Sequence, residues 1–134
     1  GVVKPGRESD HQLAFYDILP TFAEIAGDSL ARHINPDLQG DGFDGISFLP
    51  ELRGEKQPAH DHLYWEFAET NQIGVRQGDW KLVVKKGKPE LYNLADDIHE
   101  DHDVAAQHPD IVERLVNVAR SEHRDSPLFP VTLP

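Results

Sequence analysis

An α+β fold, with a small antiparallel sheet of about four strands covered by a C-terminal helix and preceded by a helix and a short helical turn, is what three features of this 134-residue sequence predict. Between residues 62 and 94 apolar side chains recur at every second position, the period of a strand with one covered face. Turn residues break that stretch at Gly78-Asp79 and at Gly87 to Pro89, the spacing of a meander. From 109 to 123 the period lengthens to that of an amphipathic helix.

The elements follow in chain order. "YDILPTFAEIAG" predicts a first helix over 14–26, with Asp17 as N-cap, Pro20 in the first turn where its missing N–H does no harm, and Gly27 as the stop. Ile18, Leu19, Phe22, Ile25 and Ala26 share one side of it. Residues 28–45 are polar and rich in Gly and Pro, hence a surface connection. "SFLPELRG" places one or two helical turns between Ser47 as N-cap and Gly54. In the meander, Leu63, Trp65 and Phe67 alternate with His62, Tyr64 and Glu66, and Trp80, Leu82 and Val84 alternate with Lys81 and Lys85. That parity puts both tryptophans on the apolar face, against the helix 109–123 with its stripe of Ile111, Leu115, Val118 and Ala119, and puts His62, Arg76 and Lys81 on the other. The tail "SPLFPVTLP" is extended.

Composition narrows the function. Hydrophobic residues make up 38% and charged residues 28%, with 24 Asp and Glu against 13 Lys and Arg and a net charge of -11. Such a surface repels phosphate backbones and anionic lipid, which argues against nucleic-acid and membrane roles. No apolar run approaches the roughly 20 residues of a membrane helix. The chain has no Cys, so no thiolate nucleophile and no Cys-ligated zinc, and its opening on Gly with no Met anywhere reads as a piece of something longer.

Local motifs for catalysis are sparse. No G-x-S-x-G elbow supports a Ser-His-Asp arrangement among the eight histidines. "DLQGDG", with Asp37, Gln39 and Asp41 at ligand positions and Gly42 at the turn, opens like an EF-hand loop, but the twelfth position is Phe48 instead of a bidentate Glu. "HDH" at 60–62 and "DDIHEDHD" at 96–103, with His99 and His102 at helical spacing, offer imidazoles and carboxylates without a zinc signature, and a solvated acidic loop is the simpler reading. Trp65 and Trp80 suit either a core or a sugar-stacking platform, core being the commoner use. His62, Arg76 and Lys81 are the candidate substrate-binding residues, a guanidinium with possible cationic neighbours suiting an anionic group, against the plainer alternative of an Arg76–Glu66 surface pair.

Taken together, several phrases resemble the C-terminal part of a type I sulfatase, the arylsulfatase branch of the alkaline-phosphatase-like superfamily. "KPGRESDHQLAFYDILPTFAEIAG", "DGISFLPELRG", "YWEF" with "GVRQGDWKL", and "ELYNLADDIHEDHDVAAQHPDIV" are similar, in the family's own order, to its closing passages. Ile98, Asn93 and Asp103 depart from the usual proline, aspartate and asparagine. The resemblance implies that 1–45 ends a catalytic domain and that 46–134 forms the C-terminal subdomain of a sulfuric ester hydrolase acting on sulfated carbohydrate, secreted or periplasmic. It implies a calcium ion and a formylglycine in an upstream catalytic domain, made from a C/S-x-P-S-R motif that this chain lacks; catalytic and metal residues are therefore expected to be absent here, and the chain alone inert. The expected partners are that upstream domain and the sulfated sugar, with self-association possible through Phe15, Leu19 and Phe22 on the 14–26 helix. A stand-alone carbohydrate-binding or protein-interaction module descended from a sulfatase is the alternative.

Overall fold

The computed structural model describes residues 3–27 and 44–134, which form two compact units, 1–60 and 61–134. In the first unit a 3-10 turn, Phe15–Asp17, leads into helix α1, Ile18–Ile25, and a short helix α2 spans Leu49–Arg53. Together the turn and α1 occupy the place predicted for one helix over 14–26, and the role of Asp17 differs from a simple N-cap. Its carboxylate makes no cap bond to α1. Instead it accepts the Ala14 N–H at 2.7 Å and the Ile46 N–H at 2.8 Å, and its Oδ1 lies 2.8 Å from His60 Nε2. The buried Thr21 works beside it, donating its hydroxyl to the Asp17 carbonyl and accepting the Phe48 N–H at 2.9 Å. Two polar side chains thus satisfy backbone amides from the returning segment, which explains why the buried side of α1 is polar. Phe15, Leu19, Phe22 and Ile25 are exposed, Phe15 to 90%.

Two details of α2 refine the sequence reading. Phe48 takes the N-cap place, and Ser47 Oγ accepts the Leu49 N–H at 3.3 Å from one position further out. Gly54 ends the helix in the left-handed region, at φ 77°, as its residue type allows. Gly45 is required for another reason: a Cβ there would lie 2.1 Å from the Tyr16 carbonyl oxygen, which no backbone can yield to.

The second unit carries a four-stranded antiparallel meander in the order β1-β2-β3-β4, with β1 Leu63–Phe67, β2 Gln72–Gln77, β3 Trp80–Lys85 and β4 Lys88–Asn93. A 3-10 turn, Ala68–Thr70, joins the first pair, and Asn71 follows it in the left-handed region. Gly78 opens the second connection at φ 60°. Lys86 and Gly87 both have positive φ, 51° and 78°, the two-residue turn whose twist matches a hairpin. Pro89 sits on β4, an edge strand, where a missing N–H is tolerated. Helix α3, Pro109–Glu122, lies over β2 and β3 with proline in its first turn. Ile73, Val75, Leu82, Val84 and Leu91 of the sheet and Leu115, Val116 and Ala119 of α3 form one buried cluster, joined at its edge by Val131 and Leu133 of the tail. The tail is tied down where the Thr132 N–H donates to Asn71 Oδ1 at 2.8 Å.

The α+β class, four strands and covering helix agree with the sequence, but the parity of β1 does not. Trp80 packs against the core cluster under α3, as predicted. In β1 it is Tyr64 that packs there. Trp65 pairs with Gly74 and is 38% exposed on the opposite face. The reason is register: Tyr64 pairs with Val75 and Glu66 with Ile73, so these two share the face of the buried β2 residues. Tyrosine tolerates that place because its hydroxyl donates to Glu66.

Leu82→Ala, at a position with no exposure, is expected to lower the stability of the second unit by about 2–5 kcal/mol. Trp65→Ala should cost about 1 kcal/mol or less, as a surface change. Urea unfolding followed by the fluorescence of Trp80 separates them; equal losses would place Trp65 in the core after all.

Candidate functional site

Pairing of β2 with β3 puts Arg76 directly opposite Lys81 on the sheet face turned away from α3. Trp65 stands diagonally from Arg76 on the same face, and its indole lies over Gly74, where an added Cβ would come within 3.4 Å of the ring. The chain leaving β4 folds back alongside, so that Trp65, Arg76, Lys81, Leu94, Ile98 and Glu100 line a cleft of about 320 Å³. Arg76 donates its Nε to the Gly78 carbonyl at 3.3 Å, and no carboxylate among the described residues pairs with it. Lys81 instead pairs with Glu100.

The wall of the cleft is held by backbone capture. Asn93 accepts through its carbonyl from the N–H of Asp97 at 2.9 Å, and its side chain bonds Asp96 and the Ala95 N–H. Asp97 then accepts the N–H groups of Asp101 at 3.1 Å and His102 at 2.9 Å, and these hydrogen bonds hold its carboxyl below the usual carboxylate range. Asp103 Oδ1 accepts from Leu91 and Ala105, tying the segment to β4. The run 96–103 read as a solvated acidic loop is thus a set of turns stapled by its own carboxylates. His99 and His102 do not share a helix, and His102 is 3.7 Å from Asp97.

His62 does not join Arg76 and Lys81. It lies on the α3 side, with Nε2 3.2 Å from Glu122. Next to it His123 bridges Glu66 and Asp125, and burial with the Glu66 bond raises the Tyr64 hydroxyl above its ordinary value. Glu66 is therefore spent on Tyr64 and His123, not on Arg76 as the surface-pair alternative required. On the open face Tyr92 is pushed up to about 12 by burial and its bond to Glu90, a carboxylate itself held low by Lys85. A second cleft, about 330 Å³, is lined by Trp80, Asn93, Asp96, Asp97, His102 and His108. Trp80 and His108 meet there with ring centroids 5.0 Å apart.

Of the three residues proposed from sequence, two share the Trp65 cleft and one lies against Glu122 of α3. Leu94 and Glu100 were not foreseen as lining it, and Trp65, weighed between core and a sugar-stacking platform with core the commoner use, lies in the cleft. The Gly74 opposite Trp65 is the signal that would have found the tryptophan, since a bare glycine in a strand invites an aromatic over it. Nothing in sequence spacing links Glu100 to Lys81. Among the described residues no group of three or more His, Asp or Glu is placed to hold a metal ion. The sequence has neither Cys nor an S-x-P-S-R stretch. These residues do not fit the calcium and formylglycine that the resemblance implies. The EF-hand-like stretch at 37–42 lies outside the described residues. No helix among the described residues is long and apolar enough to cross a membrane.

No protein-family model matches the chain. It is 29% identical over 131 residues to arylsulfatase K of Danio rerio, covering 89% of this chain and 23% of that protein. It is 37% identical over 71 residues to an ulvan-active sulfatase of Formosa agariphila, covering 53% of this chain and 12% of that protein. The chain thus spans less than a quarter of the length of these curated relatives. Among solved structures it resembles the phosphonate monoester hydrolase of Agrobacterium radiobacter, with a TM-score of 0.62 and 25% identity over 95% of this chain and 30% of that one. A 2-O GAG sulfatase shares the fold, with a TM-score of 0.52 and 24% identity over 82% of this chain and 27% of that one.

The seam holding α3 to β1 generates a pH dependence. His123 has its pKa raised, chiefly by its bond to Glu66, so its contribution to stability is full below the unfolded value of about 6.5 and is lost as pH rises through the folded value. Urea midpoints measured from pH 5.5 to 8.5 are expected to fall on the alkaline side for the natural chain and to fall less for His123→Gln. Parallel curves would remove His123 as the cause.

Proposed function

We propose that this chain, which matches the C-terminal part of sulfatases in sequence and fold, serves as the C-terminal subdomain of a sulfuric ester hydrolase acting on a sulfated carbohydrate. The observation that carries the reading is the Trp65 cleft, built within a chain whose family phrases occur in the family's order. An exposed indole beside an uncommitted guanidinium suits a saccharide that bears an anionic group, with a pyranose ring over Trp65 and a sulfate or carboxylate on the fork of Arg76. The ulvan-active relative and the GAG sulfatase act on polysaccharides by their names, which supports a carbohydrate ester here. Lys81, paired with Glu100, closes the cleft beside Arg76, while His62 serves the fold. The bond-breaking groups, formylglycine and calcium, belong to the upstream domain of the parent enzyme, in a secreted or periplasmic protein.

The exposed apolar side of α1 and of the turn before it, Phe15, Leu19 and Phe22, is the surface that meets that catalytic domain. Released from it, the same surface invites self-association. The likeness to both a phosphonate monoester hydrolase and a GAG sulfatase supports a reading in which the catalytic domain, and not this part, chooses between phosphorus and sulfur esters.

Two measurements test this reading. Purified alone, the chain is expected not to hydrolyse an aryl sulfate above background with or without calcium, and calcium-dependent turnover that survives repurification sinks the subdomain assignment. In the parent enzyme, Arg76→Ala should raise KM for a sulfated oligosaccharide about tenfold at unchanged folding stability, the scale of a charge-assisted hydrogen bond. If the reading frame upstream of Gly1 carries no C/S-x-P-S-R, the stand-alone binding module takes its place.

A further inference from the structure

Within the cleft, Glu100 holds a position that a solvent-facing acidic residue does not need. Its backbone is in the left-handed region at φ 59°, a conformation with a cost for any residue bearing a Cβ. The turn around it is over-determined: its own N–H donates to the Asp97 carbonyl at 3.2 Å, and the Asp97 carboxylate accepts from the two residues that follow. That rigid turn delivers the carboxylate to Lys81, 19 residues earlier in the chain. Lys81 is the direct cross-strand partner of Arg76. Without Glu100, the cleft would present two adjacent cations, a site for two anionic groups or one doubly charged one. With it, one cation is neutralised and Arg76 alone keeps its fork for a ligand.

We propose that Glu100 is a specificity-determining residue: by neutralising Lys81 it sets the cleft to accept a sugar bearing a single anionic group and to gain little from a second. The inference rests on the reading of the Trp65 cleft as the saccharide contact. Glu100 also relieves the repulsion between two cations facing each other across a strand pair, which is a contribution to stability. Ligand discrimination is a separate consequence, because a fixed carboxylate opposes a second sulfate whether or not it steadies the sheet.

The test is an NMR titration of the 134-residue chain, following the Trp65 indole N–H, with galactose, galactose 6-sulfate and galactose 4,6-disulfate. The natural chain should bind the monosulfate more tightly than galactose and the disulfate no more than about twofold more tightly still. Glu100→Gln should improve disulfate binding by about three- to tenfold while changing the monosulfate less, the scale of removing one opposing charge near a surface. Glu100→Gly, which relieves the backbone and removes the charge together, carries the same expectation and stands in if the Gln variant misfolds. A disulfate preference already present in the natural chain, or identical affinities in the variants, overturns the role of Glu100 and leaves the saccharide contact standing. Absence of any Trp65 shift in the natural and variant chains overturns both.

Discussion

The burial of Val75, Leu82 and Leu91 under Leu115 is the contact on which the rest of residues 61–134 depends. Once those side chains face α3, the two-residue repeat of a strand assigns every other residue of β2 and β3 to the open face. Gly74, Arg76, Lys81 and Val83 have no freedom left. A one-residue slip would bury two cations and expose the core, so the arrangement of charged groups at the cleft is protected by the cost of misplacing them. The position of Arg76 is thus a by-product of packing on the opposite side, with no dedicated scaffold of its own.

In residues 1–60 the corresponding constraint is polar. Asp17 collects two amides and an imidazole, and Thr21 one more amide, so a segment distant in sequence is fixed by hydrogen bonds where the described residues form no large hydrophobic cluster. The arrangement frees the apolar residues of α1 from any duty in the described core. Around α1 the buried side chains Asp17 and Thr21 are polar while Phe15, Leu19, Phe22 and Ile25 are exposed, the reverse of the common distribution.

Most of the sheet was legible in the sequence because β2, β3 and α3 are amphipathic by composition and two of the three turns between strands carry glycine. The parity of β1 was not. Leu63, Trp65 and Phe67 form the more apolar set, but an edge strand takes its register from its neighbour, and the Tyr64–Val75 and Trp65–Gly74 pairings reversed what hydrophobicity suggested. The same slip placed His62 beside Arg76 on paper, whereas Glu122 claims it. Asp17 reads as a helix cap because capping is a local habit of aspartate, but besides the Ala14 N–H its partners lie 29 and 43 residues away, beyond any spacing rule. Arg76 and Lys81 were found because strand alternation suffices for them. Glu100 was hidden in a run of acidic residues whose sequence gives no sign of which one turns inward.

Every strand of the meander pairs with the one next to it in the chain. Loop-closure entropy is therefore small for each hairpin, and the two connections of two residues each, between β2 and β3 and between β3 and β4, can close before any distant contact forms. The three-stranded core of the sheet then offers a prepared surface to α3 and the tail, whose contacts have long sequence separation and meet a template already in register. A unit assembled in that order can reach its native pairing while the remainder of a larger polypeptide is still unformed, and it shortens the interval in which strand edges are exposed to other chains.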